Sequence, residues 1–228
     1  MKLMVLKELQ AARRNKIPVA VVSDLDSGVQ GLVYADRQHS PELPLSATQA
    51  DQVRELLRSA RSGMLSNSKL FVRSYVADYR LLIIGAVHIA QALVTLALEC
   101  GYQVVVIDPR RAFATEARFR AVELCTEWPD EALARLAPDP QTAVVTLTHD
   151  PKIDDPALVS ALNSEAFYIG ALGSRRTHEK RIERLTELGL KDKLERIKAP
   201  IGLDLGGRGH AEIALAILAQ VVQARYRG

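Results

Sequence analysis

Apolar residues in this chain fall into short unbroken runs separated by stretches of helical spacing. Leu3, Leu6 and Leu9 recur at helical intervals and stop before Pro18, which predicts a short amphipathic helix. VAVVSD (19–24), a DSG turn (26–28) and GLVYAD (31–36) read as two strands of a hairpin-like unit. A polar loop with Pro41 and Pro44 comes next, then a second helix capped by Ser46 or Thr48, with Val53, Leu56 and Leu57 on one face and Gly63 as its stop. KLFVRSYVAD (69–78) reads as a strand.

Beyond Asp78 the pattern becomes a regular alternation. RLLIIG, YQVVVID, AVELCT, TAVVTLTH and AFYIG are strand candidates, and the stretches between them bury Ala, Leu and Val at helical spacing. Parallel strands need crossover helices, so this order predicts a doubly wound sheet. The expected fold class is therefore α/β: a Rossmann-like parallel-sheet domain over 80–228, preceded by a smaller α+β domain over 1–79. The closing HAEIALAILAQVVQARYR is an apolar helix that needs a covering surface, either this sheet or another subunit.

Three segments run from a strand into a glycine-bearing or acidic turn and on into a helix: LLIIGAVHIAQAL (81–93), AVVTLTHDPKIDDPAL (143–158) and FYIGALGSRRTHEKRI (167–182). In a parallel sheet such turns gather at the carboxyl edge, where ligands bind. Gly85 and His88 come from the first turn, His149 and Asp150 from the second, and Gly173, Ser174, Arg175 and Arg176 from the third. Asp108 ends the strand after the first turn, where a ribose-binding carboxylate is expected. The third turn joins glycines, a helix start and two guanidinium forks, which suits an anion and makes a phosphorylated ligand the first expectation. Local pairing of these arginines with Glu179 and Glu183 is the plainer account.

The first turn resembles a dinucleotide fingerprint, but Val87 stands where the second glycine of G-x-G-x-x-G lets pyrophosphate reach the backbone, which counts against ordinary NAD(P) binding. His149 and Asp150 have the chemistry to move protons or hold a metal, or to form an ordinary turn. Asp155 reads as the cap of a helix starting near Pro156. Asp204 and glycines 202, 206, 207 and 209 form a late loop that either covers the site or leads into the last helix.

The formal charge of +3, from 30 basic and 27 acidic residues, is interspersed rather than clustered, so nucleic acid is not the expected partner. Cys100 and Cys125 have no CxxC spacing and read as buried small hydrophobes, and none of the five histidines shows a ligand spacing. No catalytic set and no metal site is expected. The interrupted amino-terminal stretch and the lack of a long apolar run predict a soluble, cytoplasmic protein with no membrane partner.

GAVHIAQAL, VVTLTHDPKIDDPAL, FYIGALGSRRTHEKRIERL and KAPIGLD (198–204) resemble, in this order, the XdhC/CoxF family of molybdenum-enzyme maturation factors. The resemblance implies a Rossmann-like carboxyl-terminal domain. It also implies a non-catalytic chaperone that binds the molybdenum cofactor, as molybdopterin or its dinucleotide form, and helps insert it into a xanthine dehydrogenase-like molybdenum hydroxylase. The apoenzyme, a cysteine desulfurase and a second copy of the chain are the implied partners. Many relatives have glycine at the position of Val87, and many carry a cysteine in a Gly-rich amino-terminal segment that 1–79 lacks. An NAD(P)-dependent oxidoreductase and a nucleotide-sensing interaction protein are the alternatives.

Overall fold

The computed structural model describes residues 2–15, 17–39, 42–76, 78–120 and 122–227. Pro41, Ala77 and Ala121, which fall in the predicted loop and strands, lie outside them. The chain divides into two compact units, 1–77 and 78–228.

In the first unit, α1 (Leu3–Arg14) precedes β1 (Val19–Asp24), β2 (Gln30–Tyr34) and β3 (Gln38–His39), and α2 (Ala47–Arg58) precedes β4 (Gly63–Met64) and β5 (Leu70–Tyr75). The strands form an antiparallel sheet in the order β3-β2-β1-β5-β4. α1 packs Val5, Leu9 and Ala12 with Val19, Val21 and Leu32, while Val53 and Leu57 of α2 pack with Ala20, Val22 and Val72. α2 opens with a reciprocal capping box between Ser46 and Gln49. It ends at Arg58, and Gly63 begins a short edge strand instead of stopping the helix as predicted.

The second unit contains β6 (Arg80–Ile84), α3 (His88–Glu99), β7 (Gln103–Ile107), β8 (Glu123–Cys125), α4 (Pro129–Leu136), β9 (Thr142–Thr146), α5 (Pro151–Leu162), β10 (Tyr168–Ala171), α6 (Arg175–Glu187), β11 (Ile197–Lys198) and α7 (His210–Arg227). Its six strands lie in the order β11-β10-β9-β6-β7-β8, and every pair is parallel. The chain thus winds outward from β6 through β7 to β8, then returns to the other side of β6 for β9 to β11. That reversal places the topological switch point between β6 and β9. Leu81–Ile84 and Ala143–Val145 are fully buried, as expected for central strands covered on both faces.

One face of this sheet is covered by α4, α5 and α6, whose Leu133, Leu158, Leu162 and Leu185 join the strand residues in one core. α7 packs against α3 and β10, burying Ala214, Ile217, Leu218 and Val221, so its apolar face is covered within its own unit. The late loop is tied down as well. Gln220 of α7 brackets Gly202, accepting from its N–H at 2.9 Å and donating to its carbonyl at 3.2 Å, and Tyr168 Oη donates to the same Gln220 amide oxygen.

Two local readings need correction. α5 begins at Pro151 with Asp150 as its cap, and Pro156 lies inside the helix. Pro151 fits the first helical position because its missing N–H is not needed there. Cys100 is exposed at the carboxyl end of α3, whereas Cys125 is buried.

Candidate functional site

The carboxyl edge of the parallel sheet gathers the turns after β6, β9 and β10. At the first, Gly85 takes φ +109°, and a Cβ there would lie 2.5 Å from Thr148 Cγ2. The turns after β6 and β9 are therefore in direct contact, and only glycine allows that approach. Val87 is the N-cap of α3 and its apolar side chain makes no capping bond, so among the described residues the start of α3 has no side-chain cap. His88 is exposed at the first helical position and stacks on His210, with ring centroids 5.4 Å apart and an interplanar angle of 18°. The loop before α7 is thereby brought to the edge.

Asp108 is fully buried at the end of β7. Its Oδ2 accepts from the Ala86 N–H at 2.8 Å and from Arg110 Nη2 at 2.8 Å, and its Oδ1 accepts from the Arg110 N–H and Nε. Burial alone would raise its pKa, but the Arg110 guanidinium together with the Ala86 and Arg110 N–H groups outweighs it, so the carboxyl lies below the usual aspartate value. The Asp108 carboxylate thus braces the first turn from beneath.

The second turn is built on Asp154. This buried carboxylate accepts from Thr148 Oγ1 at 2.6 Å and from the His149 N–H at 3.1 Å. His149 adopts φ +63°, a left-handed conformation uncommon for a side-chain-bearing residue. Asp150 caps α5 through a 3.0 Å bond from the Lys152 N–H. Burial raises the pKa of Asp154, and the Thr148 hydroxyl and the Arg181 charge offset it only in part.

In the third turn Ser174 caps α6 by accepting from the Thr177 N–H at 3.2 Å. Gly173 takes φ +143° and is packed against the Thr177 side chain. Arg175 and Arg176 are exposed, and among the described residues neither side chain has a hydrogen-bond or ion-pair partner. Deeper in α6, Arg181 is buried and donates from Nη2 to Leu172 O at 2.9 Å. Arg184 pairs with Asp155 on α5, so Asp155 serves as an ion-pair partner and not as the predicted cap.

A cleft of about 260 Å³ opens between α5 and α6. It unites His149 and Arg176 of the predicted residues with Asp154, Lys180, Arg181 and Arg184. Gly85 belongs to the neighbouring turn, joined to the second through Thr148, and Asp108 at the end of β7 holds that turn through the Ala86 N–H. Sequence reasoning missed Arg110, Asp154 and Arg181. The signal for Arg181 was its helical register, four residues before the buried Leu185, which puts a charge on the buried face. Among the described residues no group of three or more His, Cys, Asp or Glu is placed to hold a metal ion. No described helix is long and apolar enough to cross a membrane.

A parallel sheet in this order, with a tight glycine turn at its switch point, defines a Rossmann-type domain. The model of the XdhC Rossmann domain matches residues 81–221, more than half of the chain. The chain belongs to that family. It is 31% identical over 161 residues to a probable xanthine dehydrogenase subunit of Bacillus subtilis (strain 168), covering 70% of this chain and 47% of that protein. It is 35% identical over 147 residues to the molybdenum cofactor insertion chaperone PaoD of Escherichia coli (strain K12), covering 64% of this chain and 40% of PaoD. The matches thus span less than half the length of these curated relatives. A crystal structure of a xanthine dehydrogenase from Bacillus halodurans superposes with a TM-score of 0.75 over 96% of this chain and 65% of that one, at 24% identity, and shares the fold.

Proposed function

We propose that the chain is a carrier for the molybdenum cofactor, which it holds as cargo and helps to insert into a molybdenum hydroxylase of the xanthine dehydrogenase kind. The observation that carries this reading is the carboxyl edge itself: among the described residues α3 starts without a side-chain cap at the switch point, and Arg175 and Arg176 stand exposed and unpaired at the start of α6. Free helix N–H groups and unpaired guanidinium forks suit the phosphate or pyrophosphate of such a cofactor. The name of PaoD supports the cargo, and that of the Bacillus subtilis relative supports the client.

In this reading Gly85 and the amides of His88 and its neighbours, Gly173, Ser174, Arg175 and Arg176 hold the anionic end. His149 and Asp150 border it, and Asp108 positions the first turn. Molybdenum and its dithiolene supply the redox chemistry only in the client, while these residues bind and orient. A cysteine desulfurase that sulfurates the cargo, and a second copy of the chain, belong to the same proposal. α7 is covered by α3, leaving Leu215 as an exposed apolar residue on it for self-association.

The oxidoreductase alternative needs NAD(P) in its ordinary pose. Val87 and the buried, fully bonded Asp108 carboxylate both oppose that pose, since the first blocks the backbone and the second has no free oxygen to offer a ribose.

The test is anaerobic purification of the full chain followed by analysis of bound molybdenum and pterin. Losing one charge-assisted bond costs roughly 1.5–3 kcal/mol, so the Arg175→Ala, Arg176→Ala double variant should fold yet bind the cofactor about tenfold or more weakly. Unchanged affinity in the folded variant would remove the anion role of these arginines. Tight NADH binding with hydride transfer would establish the oxidoreductase instead.

A further inference from the structure

Arg181 is a buried guanidinium without its full set of partners. Only 2% of its side chain is exposed, and of its five N–H donors one bond, from Nη2 to Leu172 O, is made. Nε and Nη1 are shielded from solvent and have no acceptor among the described residues. Asp154 Oδ2 stands 3.9 Å from Nη2, beyond hydrogen-bond reach, and that carboxylate is already engaged by Thr148 and His149. The Leu172 carbonyl and the nearby Asp154 charge account for Nη2 alone and leave Nε and Nη1 idle in a buried position, where an unpaired donor is costly.

The same guanidinium lines the cleft between α5 and α6. Four basic side chains of that cleft, Arg176, Lys180, Arg181 and Arg184, face two carboxylates, Asp154 and Asp155, leaving an excess of two positive charges. Arg184 is matched by Asp155. Arg176 and Lys180 have no ion-pair partner among the described residues. A planar fork with idle donors, backed by two further unpaired cations, suits a dianionic tetrahedral group.

We propose that the α5–α6 cleft binds a dianionic phosphate monoester, gripped from within by Arg181 and closed on the exposed side by Arg176 and Lys180. In identifying the bearer as the pterin cargo the proposal rests on the carrier reading, but phosphate binding itself does not depend on it. The cleft would then seat the terminal phosphate, apart from the turn after β6.

The experiment is a titration of the 15N-labelled full chain with inorganic phosphate and with glycerol 3-phosphate, following the Arg181 Nε–H resonance and the backbone amides of residues 86–89. The expected result is a saturable shift at Arg181, stronger for the monoester, and affinity weakened roughly tenfold or more in Arg181→Lys and in the Arg176→Ala, Lys180→Ala variant. No saturable shift at Arg181, shifts confined to residues 86–89, or unchanged affinity in the folded variants would overturn the site. If Arg181→Lys does not fold, the double variant of exposed residues decides by the same criterion. Phosphate binding at Arg181 in a chain that never carries pterin would overturn the carrier reading and leave the site standing. Pterin carried by a chain whose Arg181 ignores phosphate would do the reverse.

Discussion

Replacing Asp108 by alanine tests whether the first turn is held from beneath by a single buried carboxylate. The substitution strands the Ala86 N–H, a buried donor whose loss of a partner costs about 1–3 kcal/mol. It also frees Arg110, but that side chain is 34% exposed and water can replace the carboxylate, so this part adds only about 0–1 kcal/mol. A total of about 1–4 kcal/mol lowers the melting temperature of a unit this size by roughly 2–4 °C for each kcal/mol. Calorimetry on the full chain should show that shift in the transition of residues 78–228. Asp108→Asn should rescue little, because its NH2 faces donors. Acid titration gives a second signature: with its folded pKa depressed, the carboxylate adds stability above the ordinary aspartate value near 3.9, and loses it as pH falls through the lowered value. The variant should lack that acid limb. A loss under about 1 kcal/mol, with the limb intact, would show that other contacts hold the turn.

Gly85→Ala should cost about 1–3 kcal/mol from the strained φ alone, plus the clash with the Thr148 methyl; adding Thr148→Ser should recover the steric part in urea unfolding, and a double variant no better than the single one refutes the contact. Asp154 has a raised pKa, so its ionised form costs stability, which should fall as pH rises from about 4 through the raised value. Asp154→Asn should flatten that segment in a series of urea midpoints, and an unaltered profile would refute the assignment.

The architecture was legible because its signals are local and repeated. RLLIIG and TAVVTLTH are continuous apolar runs, and central parallel strands covered on both faces require such runs. The edge strands Gly63–Met64 and Ile197–Lys198 carry no such signal, since two residues of register leave no period to read. The start of α5 was misplaced because DPKIDDP (150–156) offers two Asp-Pro starts. The first, Asp150-Pro151, prevails, and Asp154 is buried inside the helix as acceptor for Thr148 and His149.

The site was legible where chain neighbours do the work and illegible where folding supplies the partner. Gly173 and Ser174 form the expected turn and helix start, with Ser174 as the cap, because both act within a few residues of themselves. Asp108 was placed correctly at the strand end, but its role depends on the Ala86 N–H, which arrives from the turn after β6, and on Arg110, bent back past Pro109. Sequence adjacency to glycine drew attention to Arg175 and Arg176, while Arg181 looked like one more charge in a charged helix. Only the packing of α6 against α5 and the turn after β10 shows that this charge has been withdrawn from water. Of the cations on α6, Arg181 is therefore the one whose position is hardest to explain by solubility and easiest to explain by a ligand, because a surface arginine costs little to keep and a buried, underpaired one does not.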